Sequence, residues 1–139
     1  MHSDELIVLG IDFGLARIGV AVGNTASCSA RALVTLPARA GLPDWRKVGV
    51  LLDDWSVGAF VVGLPLNKDG TSQEVTKLAQ KFAKLLEARF DLPVYLTDER
   101  YTSAEARTMF QEFSRLKQKR IGLDAVAAQL ILEQWLDDY

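Results

Sequence analysis

The stretch LIVLGIDFGLARIGVAV (residues 6–22) decides the fold. Its first half, Leu6–Phe13, is an apolar run of strand length, which is typical of a central strand buried on both faces. Gly14–Arg17 indicates a turn, and Ile18–Val22 alternates with small residues, which predicts the returning strand of a hairpin. A third strand is predicted at Ala30–Leu36. Because the connections are too short to hold a crossover helix, the three strands should pair antiparallel.

The rest of the chain alternates between helices and strands. In chain order, the pattern predicts a helix from Pro43 to about Trp55, a strand at Ala59–Leu64, a helix beginning at the capping box Thr71–Glu74, a strand at Val94–Thr97, a helix beginning at the capping box Thr102–Glu105, and a last helix at Leu123–Leu136. Strands joined through helices lie parallel and cross over right-handed. The expected fold is therefore α/β, a five-stranded mixed sheet with helices on both faces. Because no repeat or linker interrupts the pattern, residues 1–139 are expected to form a single domain.

Composition limits the chemistry that the chain can perform. Of its 139 residues, 49% are hydrophobic and 24% charged, an ordinary globular balance that excludes disordered and fibrous proteins. No apolar run approaches the roughly 18 residues of a membrane span, and no export signal is recognisable before the first strand. Cys28 and His2 are the single residues of their types, which argues against a disulfide framework, a thiolate metal cluster and a His-based triad. Carboxylates, hydroxyls, lysines and arginines remain.

Basic residues are concentrated in one segment of an acidic chain. The net charge is −2, yet residues 100–120 hold six bases against two acids, a net charge of +4 that leaves −6 elsewhere. Such a segment is either a solvated helix and loop or a surface for nucleic-acid phosphates. In the second case Arg100, Lys117, Lys119 and Arg120 are the expected contacts. The low overall basicity indicates weak intrinsic affinity, which a ribosomal or other protein partner would raise.

Asp12 is the most unusual carboxylate of the sequence, because it interrupts the most apolar strand. A lone carboxylate inside a buried strand costs several kcal/mol unless it is paired or bound to a cation. Two ordinary explanations stand beside a functional one: a salt bridge to Arg17, or a hydrogen-bonded turn at Gly14. The position therefore makes Asp12 a candidate catalytic residue.

Three further carboxylates stand at the ends of predicted elements. Asp98 and Glu99 follow the last strand, where open sheets commonly bind ligands, although a polar loop before a helix has the same composition. Asp124 opens the last helix and is a candidate N-cap, but it also shares the helical face of Ala128 and Ile131, which points towards the sheet. All three are candidates for the same catalytic site as Asp12.

Carboxylates that converge in one crevice repel each other, and a divalent cation is the usual remedy. Oxygen ligands select Mg²⁺ or Mn²⁺ over zinc. Clusters of this kind hydrolyse phosphodiesters with two metal ions, one activating water and the other stabilising the leaving oxygen. The carboxylates therefore predict a magnesium-dependent or manganese-dependent phosphodiesterase.

Four collinear motifs carry a family resemblance. They are GIDFG at Gly10–Gly14, GLPLNKDGT at Gly63–Thr71, TDERYTSAEA at Thr97–Ala106 and LDAVAAQLILE at Leu123–Glu133. Together they resemble the YqgF/RuvX family over nearly the whole chain. The resemblance implies a ribonuclease H-like fold and a bacterial cytoplasmic nuclease. It also implies maturation of the 5′ end of pre-16S ribosomal RNA or, by analogy with RuvC, resolution of Holliday junctions.

The resemblance also implies roles for the carboxylates. Asp12 would be the first-strand metal ligand, the pair Asp98 and Glu99 would supply the second, and Asp124 the third. Many ribonuclease H-like nucleases carry an acidic residue at the end of the strand beside the first, but here that place is Gly63–Pro65. Because side chains alternate along a strand, only one of the adjacent pair can face the crevice. We expect Glu99 to be the ligand.

Two other classes of protein have some of these features. An Asp-Phe-Gly hairpin also resembles the first phosphate loop of the actin, heat-shock chaperone and sugar-kinase superfold, but those proteins need two such domains to enclose ATP. A non-catalytic nucleic-acid-binding module would need no carboxylate set. The choice between structured RNA and branched DNA, and between monomer and homodimer, is open at this point.

Overall fold

The structure, a computed structural model, describes residues 5–65, 74–98 and 122–139. In this part of the chain it has six strands and three helices. The strands are β1 (Ile7–Asp12), β2 (Arg17–Asn24), β3 (Ser29–Arg39), β4 (Leu42–Pro43), β5 (Ala59–Leu64) and β6 (Val94–Asp98). The helices are α1 (Trp45–Trp55), α2 (Glu74–Phe90) and α3 (Leu123–Asp137). Within these ranges no helix is long and apolar enough to cross a membrane.

The strands form one mixed sheet in the order β4-β3-β2-β1-β5-β6. The first three strands pair antiparallel, and β1, β5 and β6 run parallel. Both features confirm the predicted architecture. The helix predicted to begin at Thr102 and the capping residue Thr71 lie outside the described residues.

The strand count differs from the prediction by one short strand. β3 continues to Arg39, three residues beyond the predicted end, and the backbone then turns through Ala40 and Gly41, both with positive φ (53° and 81°). The two residues of β4 pair antiparallel with the end of β3. A two-residue strand is too short to produce a periodic pattern, so sequence reasoning could not detect it.

The start of α1 also differs from the prediction. Pro43 belongs to β4, and Asp44 is the N-cap, whose side chain accepts a hydrogen bond from the Arg46 N–H at 3.0 Å. The helix therefore begins at Trp45, because the aspartate satisfies an amide that the first turn leaves without a partner.

Two apolar clusters cover opposite faces of the sheet. On one face, Leu9 and Phe60 pack with residues of α1 and α2, such as Val48 and Leu86. On the other face, Val8 and Val61 pack with Ala128, Ile131 and Leu132 of α3. The residues of β1 between Val8 and Ile11 are buried, as expected for a central strand. Helices therefore cover both faces, and α3 covers the second face within the described residues.

Candidate active site

Asp12 is the last residue of β1 and lies on the face that α3 covers. Side chains alternate along a strand, so Asp12 shares a face with Val8 and Gly10. Val8 packs in the α3 cluster, and a Cβ added at Gly10 would lie 2.4 Å from Leu132 of α3. The Asp12 carboxylate is half-buried, at the carboxyl end of the central strand.

The neighbours of Asp12 across the sheet are small. Asp12 pairs with Gly19 of β2, which pairs with Thr35 of β3. On the other side, Ile11 pairs with Val62, so the next residue of β5, Gly63, is level with Asp12. The two glycines leave Asp12 as the one long side chain at the centre of this row.

The first turn of α3 lies directly against this row. A Cβ added at Gly19 would lie 1.8 Å from the Asp124 carbonyl oxygen, so the two backbones touch where the chain has no side chain. Gly122 is the N-cap, with φ +94°, and a Cβ there would lie 2.6 Å from Thr35 Oγ1. The N-cap role considered for Asp124 is therefore wrong: it is the second residue of the helix, beside the strand that pairs with Asp12.

Arg17 and Asp124 form an ion pair at the same end of the sheet. Arg17 Nε donates to Asp124 Oδ2 at 3.0 Å, and the two side chains are 68% and 32% exposed. The sequence suggested Arg17 only as a partner for Asp12. Because 107 positions separate Arg17 from Asp124, no local pattern could have indicated this contact.

Asp98 lies on the opposite face of the sheet from Asp12. It is the last residue of β6 and pairs with Leu64. In β6, Val94 packs with the α1 and α2 cluster, whereas the Tyr95 ring contacts Trp135 of α3 at 5.4 Å between centroids. Alternation assigns Asp98 to the face of Val94. The Asp124 backbone thus lies on Gly19, the β2 partner of Asp12, whereas Asp98 lies on the opposite face of the sheet.

The remaining candidates, Glu99, Arg100, Lys117, Lys119 and Arg120, lie outside the described residues. Within residues 5–65, 74–98 and 122–139, no three histidine, cysteine or acidic side chains are close enough to hold a metal ion. Asp12 and Asp124 supply hard oxygen donors, the type that Mg²⁺ and Mn²⁺ prefer. They fit part of such a site, and a further ligand would have to come from outside the described residues.

The chain is similar to known proteins over nearly its whole length. A family model described as "RuvX: Holliday junction resolvase" matches residues 6–138. A Coxiella burnetii protein named "Putative pre-16S rRNA nuclease" is 48% identical over 138 residues, covering 99% of this chain and 97% of its own. A Pseudomonas syringae protein of the same name is 45% identical and covers 96% and 92%.

A solved structure shows the same fold. Thermus thermophilus RuvC in complex with a Holliday junction substrate superimposes with a TM-score of 0.58 and 19% identity, covering 96% of this chain and 94% of that one. At this identity the likeness concerns the fold alone. It agrees with the ribonuclease H-like architecture that the sequence motifs imply.

Proposed function

The chain belongs to the RuvX family, and on that premise we propose that it is a metal-dependent endonuclease that matures the 5′ end of pre-16S ribosomal RNA. The observation that carries this proposal is the position of Asp12. Its carboxylate ends the central strand on the face that α3 covers, and its β2 partner Gly19 contacts the backbone of Asp124, the first acidic residue of that helix. Carboxylates at such a strand end are the means by which a sheet of this kind holds divalent cations.

Asp12, Glu99 and Asp124 are the proposed metal ligands. Asp98 lies on the face of the sheet opposite Asp12, which argues against Asp98 as the third ligand and leaves Glu99, the ligand expected from the sequence. Bound Mg²⁺ or Mn²⁺ would supply an activated water and stabilise the leaving oxygen. The three carboxylates would orient that chemistry at one end of the sheet, and Asp98 would act at most by orienting a neighbouring group.

Substrate class is proposed from the relatives. Two relatives 45–48% identical carry the pre-16S name, whereas RuvC at 19% identity supports only the fold. We therefore favour structured pre-ribosomal RNA. Four-way DNA is the second candidate, because the family description names a Holliday junction resolvase.

Substrate contacts, a partner and a location in the cell belong to the same proposal. Arg100, Lys117, Lys119 and Arg120 would bind phosphates of the substrate, and a ribosomal or other protein partner would add the affinity that a net charge of −2 does not provide. Residues 1–139 would act as one nuclease domain, as a monomer or homodimer. Maturation of ribosomal RNA would place the protein in the bacterial cytoplasm.

The test compares two substrates under the same conditions. A pre-16S fragment with its 5′ extension and a four-way DNA junction are incubated with the protein in Mg²⁺ and in EDTA. We expect cleavage of the RNA in Mg²⁺ alone, loss of cleavage in Asp124→Asn, and normal cleavage by Asp137→Asn, a control at an exposed aspartate of the same helix. Cleavage of the junction and not the RNA would select the DNA candidate. Binding without cleavage of either would overturn the enzyme in favour of a binding module.

A further inference from the structure

Arg17 is a largely exposed residue that contacts one of the proposed metal ligands, Asp124. It begins β2, two residues from Gly19, and therefore shares the face of Gly19 and Ala21, which α3 covers. The Asp124 backbone lies on Gly19, so the arginine can reach the Asp124 carboxylate from the next position on the same face. Their 3.0 Å contact joins a proposed metal ligand to a permanently charged group.

The exposure of this pair argues against a role in stability. Arg17 is 68% exposed, and exposed ion pairs contribute little to folding because solvent screens them. The pair instead affects the electrostatics around the Asp124 carboxylate. One carboxylate has two possible cationic partners, the guanidinium and a divalent metal ion, and the two cations repel each other.

We propose that Arg17 competes with the metal for Asp124, and that its guanidinium, once displaced, binds a phosphate oxygen of the nucleic acid. This inference rests on the proposed function. The guanidinium fork suits phosphate as well as carboxylate, so the same side chain has a partner in either condition. Metal binding would thereby make a phosphate-binding cation available at the site where the metal acts.

The first test is the metal affinity of Arg17→Gln, measured by calorimetric titration with Mn²⁺. Removal of one positive charge near the site should tighten Mn²⁺ binding about three- to tenfold. Arg17→Lys keeps the charge and should remain near the wild-type value. Arg46→Gln is the matched control: it also removes an arginine from an exposed ion pair, with Asp44 at 3.6 Å, on the helix that covers the other face.

The second test is the salt dependence of RNA binding, measured by fluorescence anisotropy with a 5′-extended pre-16S fragment. Ca²⁺ serves as a metal for binding, and EDTA gives the comparison without metal. Removal of one phosphate-binding side chain should lower the log–log salt slope by roughly 0.7. We expect that decrease for Arg17→Gln in Ca²⁺ and no change in EDTA, whereas Arg46→Gln should leave both slopes unchanged.

The outcomes separate this inference from the proposed function. Unchanged or weaker Mn²⁺ binding by Arg17→Gln would mean that the arginine only orients Asp124, and the inference would be wrong. An equal change of slope in Ca²⁺ and EDTA would also overturn it, and so would Arg17→Lys behaving like Arg17→Gln. If wild-type protein binds no Mn²⁺, or if Asp124→Asn binds it as well as wild type, the proposed metal site itself fails. Thermal melting of each variant confirms that it is folded.

Discussion

At the scale of single residues, the site depends on which face of a strand each carboxylate occupies. Asp12 and Asp98 end β1 and β6, the two parallel strands on either side of β5, yet their side chains lie on opposite faces. Gly63, between them in the sheet, is level with Asp12 and adds no carboxylate. The proposed site therefore depends on whether the residue after Asp98 supplies the ligand.

The adjacent pair gives a test at this scale. Glu99→Gln should lose most activity, because the variant removes a proposed ligand, whereas Asp98→Asn should lose about 10- to 100-fold, the usual effect of a group that orients a ligand. Because Asp98 lies on the opposite face of the sheet, this loss for Asp98→Asn is an upper bound. The measurements are initial cleavage rates and Mg²⁺ titrations of both variants. An inactive Asp98→Asn beside a nearly normal Glu99→Gln would reverse the assignment, and normal activity in both would remove the carboxylate cluster.

Some of these residues could be predicted from the sequence, because the free-energy cost of placing them depends only on the neighbouring sequence. A charged group in an apolar strand is expensive wherever the strand lies, so Asp12 was identifiable without any contact information. The pairing of Arg17 with Asp124 could not be identified in this way, since it depends on the packing of α3 against β2. The roles of the four carboxylates stay predictions.

At the scale of elements, the docking of α3 positions Asp124. Its first turn lies on Gly19, and further along the helix Gln129 Oε1 accepts a hydrogen bond from the Ala32 N–H at 2.9 Å. That amide lies where the register between β2 and β3 shifts. The apolar face of α3 then packs through Ile131 and Leu132. A polar and an apolar contact thus fix the position of α3, and this also fixes the position of Asp124.

Gly19→Ala should disturb this docking. The new methyl group would overlap the Asp124 backbone, so the helix or strand must shift, at a cost of about 1–3 kcal/mol in the free energy of unfolding. Cleavage should fall as well, because Asp124 would move. Urea denaturation and cleavage rates measure the two effects.

Gly49→Ala is the matched control for that variant. Gly49 lies within α1, and a Cβ there would be 3.9 Å from the Phe90 ring, an ordinary contact. Alanine in a helix interior should stabilise the protein by roughly 0.5–1 kcal/mol and leave cleavage unchanged. If Gly19→Ala were as stable and active as Gly49→Ala, the close approach of α3 to β2 would be contradicted.

The elements differ in how far the sequence could predict them. The five longer strands follow from apolar runs and alternation, and their pairing follows from the lengths of the connections. β4 and the exact start of α1 depend on a turn with positive φ at Ala40 and Gly41 and on the cap at Asp44. Such features are set by single residues and by the neighbouring strand, which a periodic pattern does not record.

At the scale of the whole molecule, charge is distributed unevenly. Residues 100–120 are basic, although the chain has a net charge of −2. A basic segment that directly follows Glu99 in the sequence would supply phosphate contacts, while the rest of the acidic chain repels nucleic acid. Binding would then be local and strongly dependent on salt.

Neutralising Lys117, Lys119 and Arg120 together tests this distribution. The triple glutamine variant should bind RNA more weakly, and its log–log salt slope should fall by roughly 0.7 for each phosphate that the segment no longer binds. Anisotropy titrations at several salt concentrations give the slope. A control with Lys77, Lys81 and Lys84 of α2 replaced should keep it, since that helix covers the other face of the sheet. An unchanged slope in the first variant would show that the segment is only solvated.

Asp12→Asn tests whether Asp12 holds a metal ion for RNA cleavage. Asp12→Asn removes the charge and keeps the shape, so it should lose more than about 100-fold of the Mg²⁺-dependent cleavage of a 5′-extended pre-16S fragment. A melting curve in EDTA checks that the variant is folded. Mg²⁺ should raise the melting temperature of the wild type more than that of the variant. A folded Asp12→Asn protein that cleaves the RNA at the wild-type rate would show that Asp12 holds no catalytic metal ion.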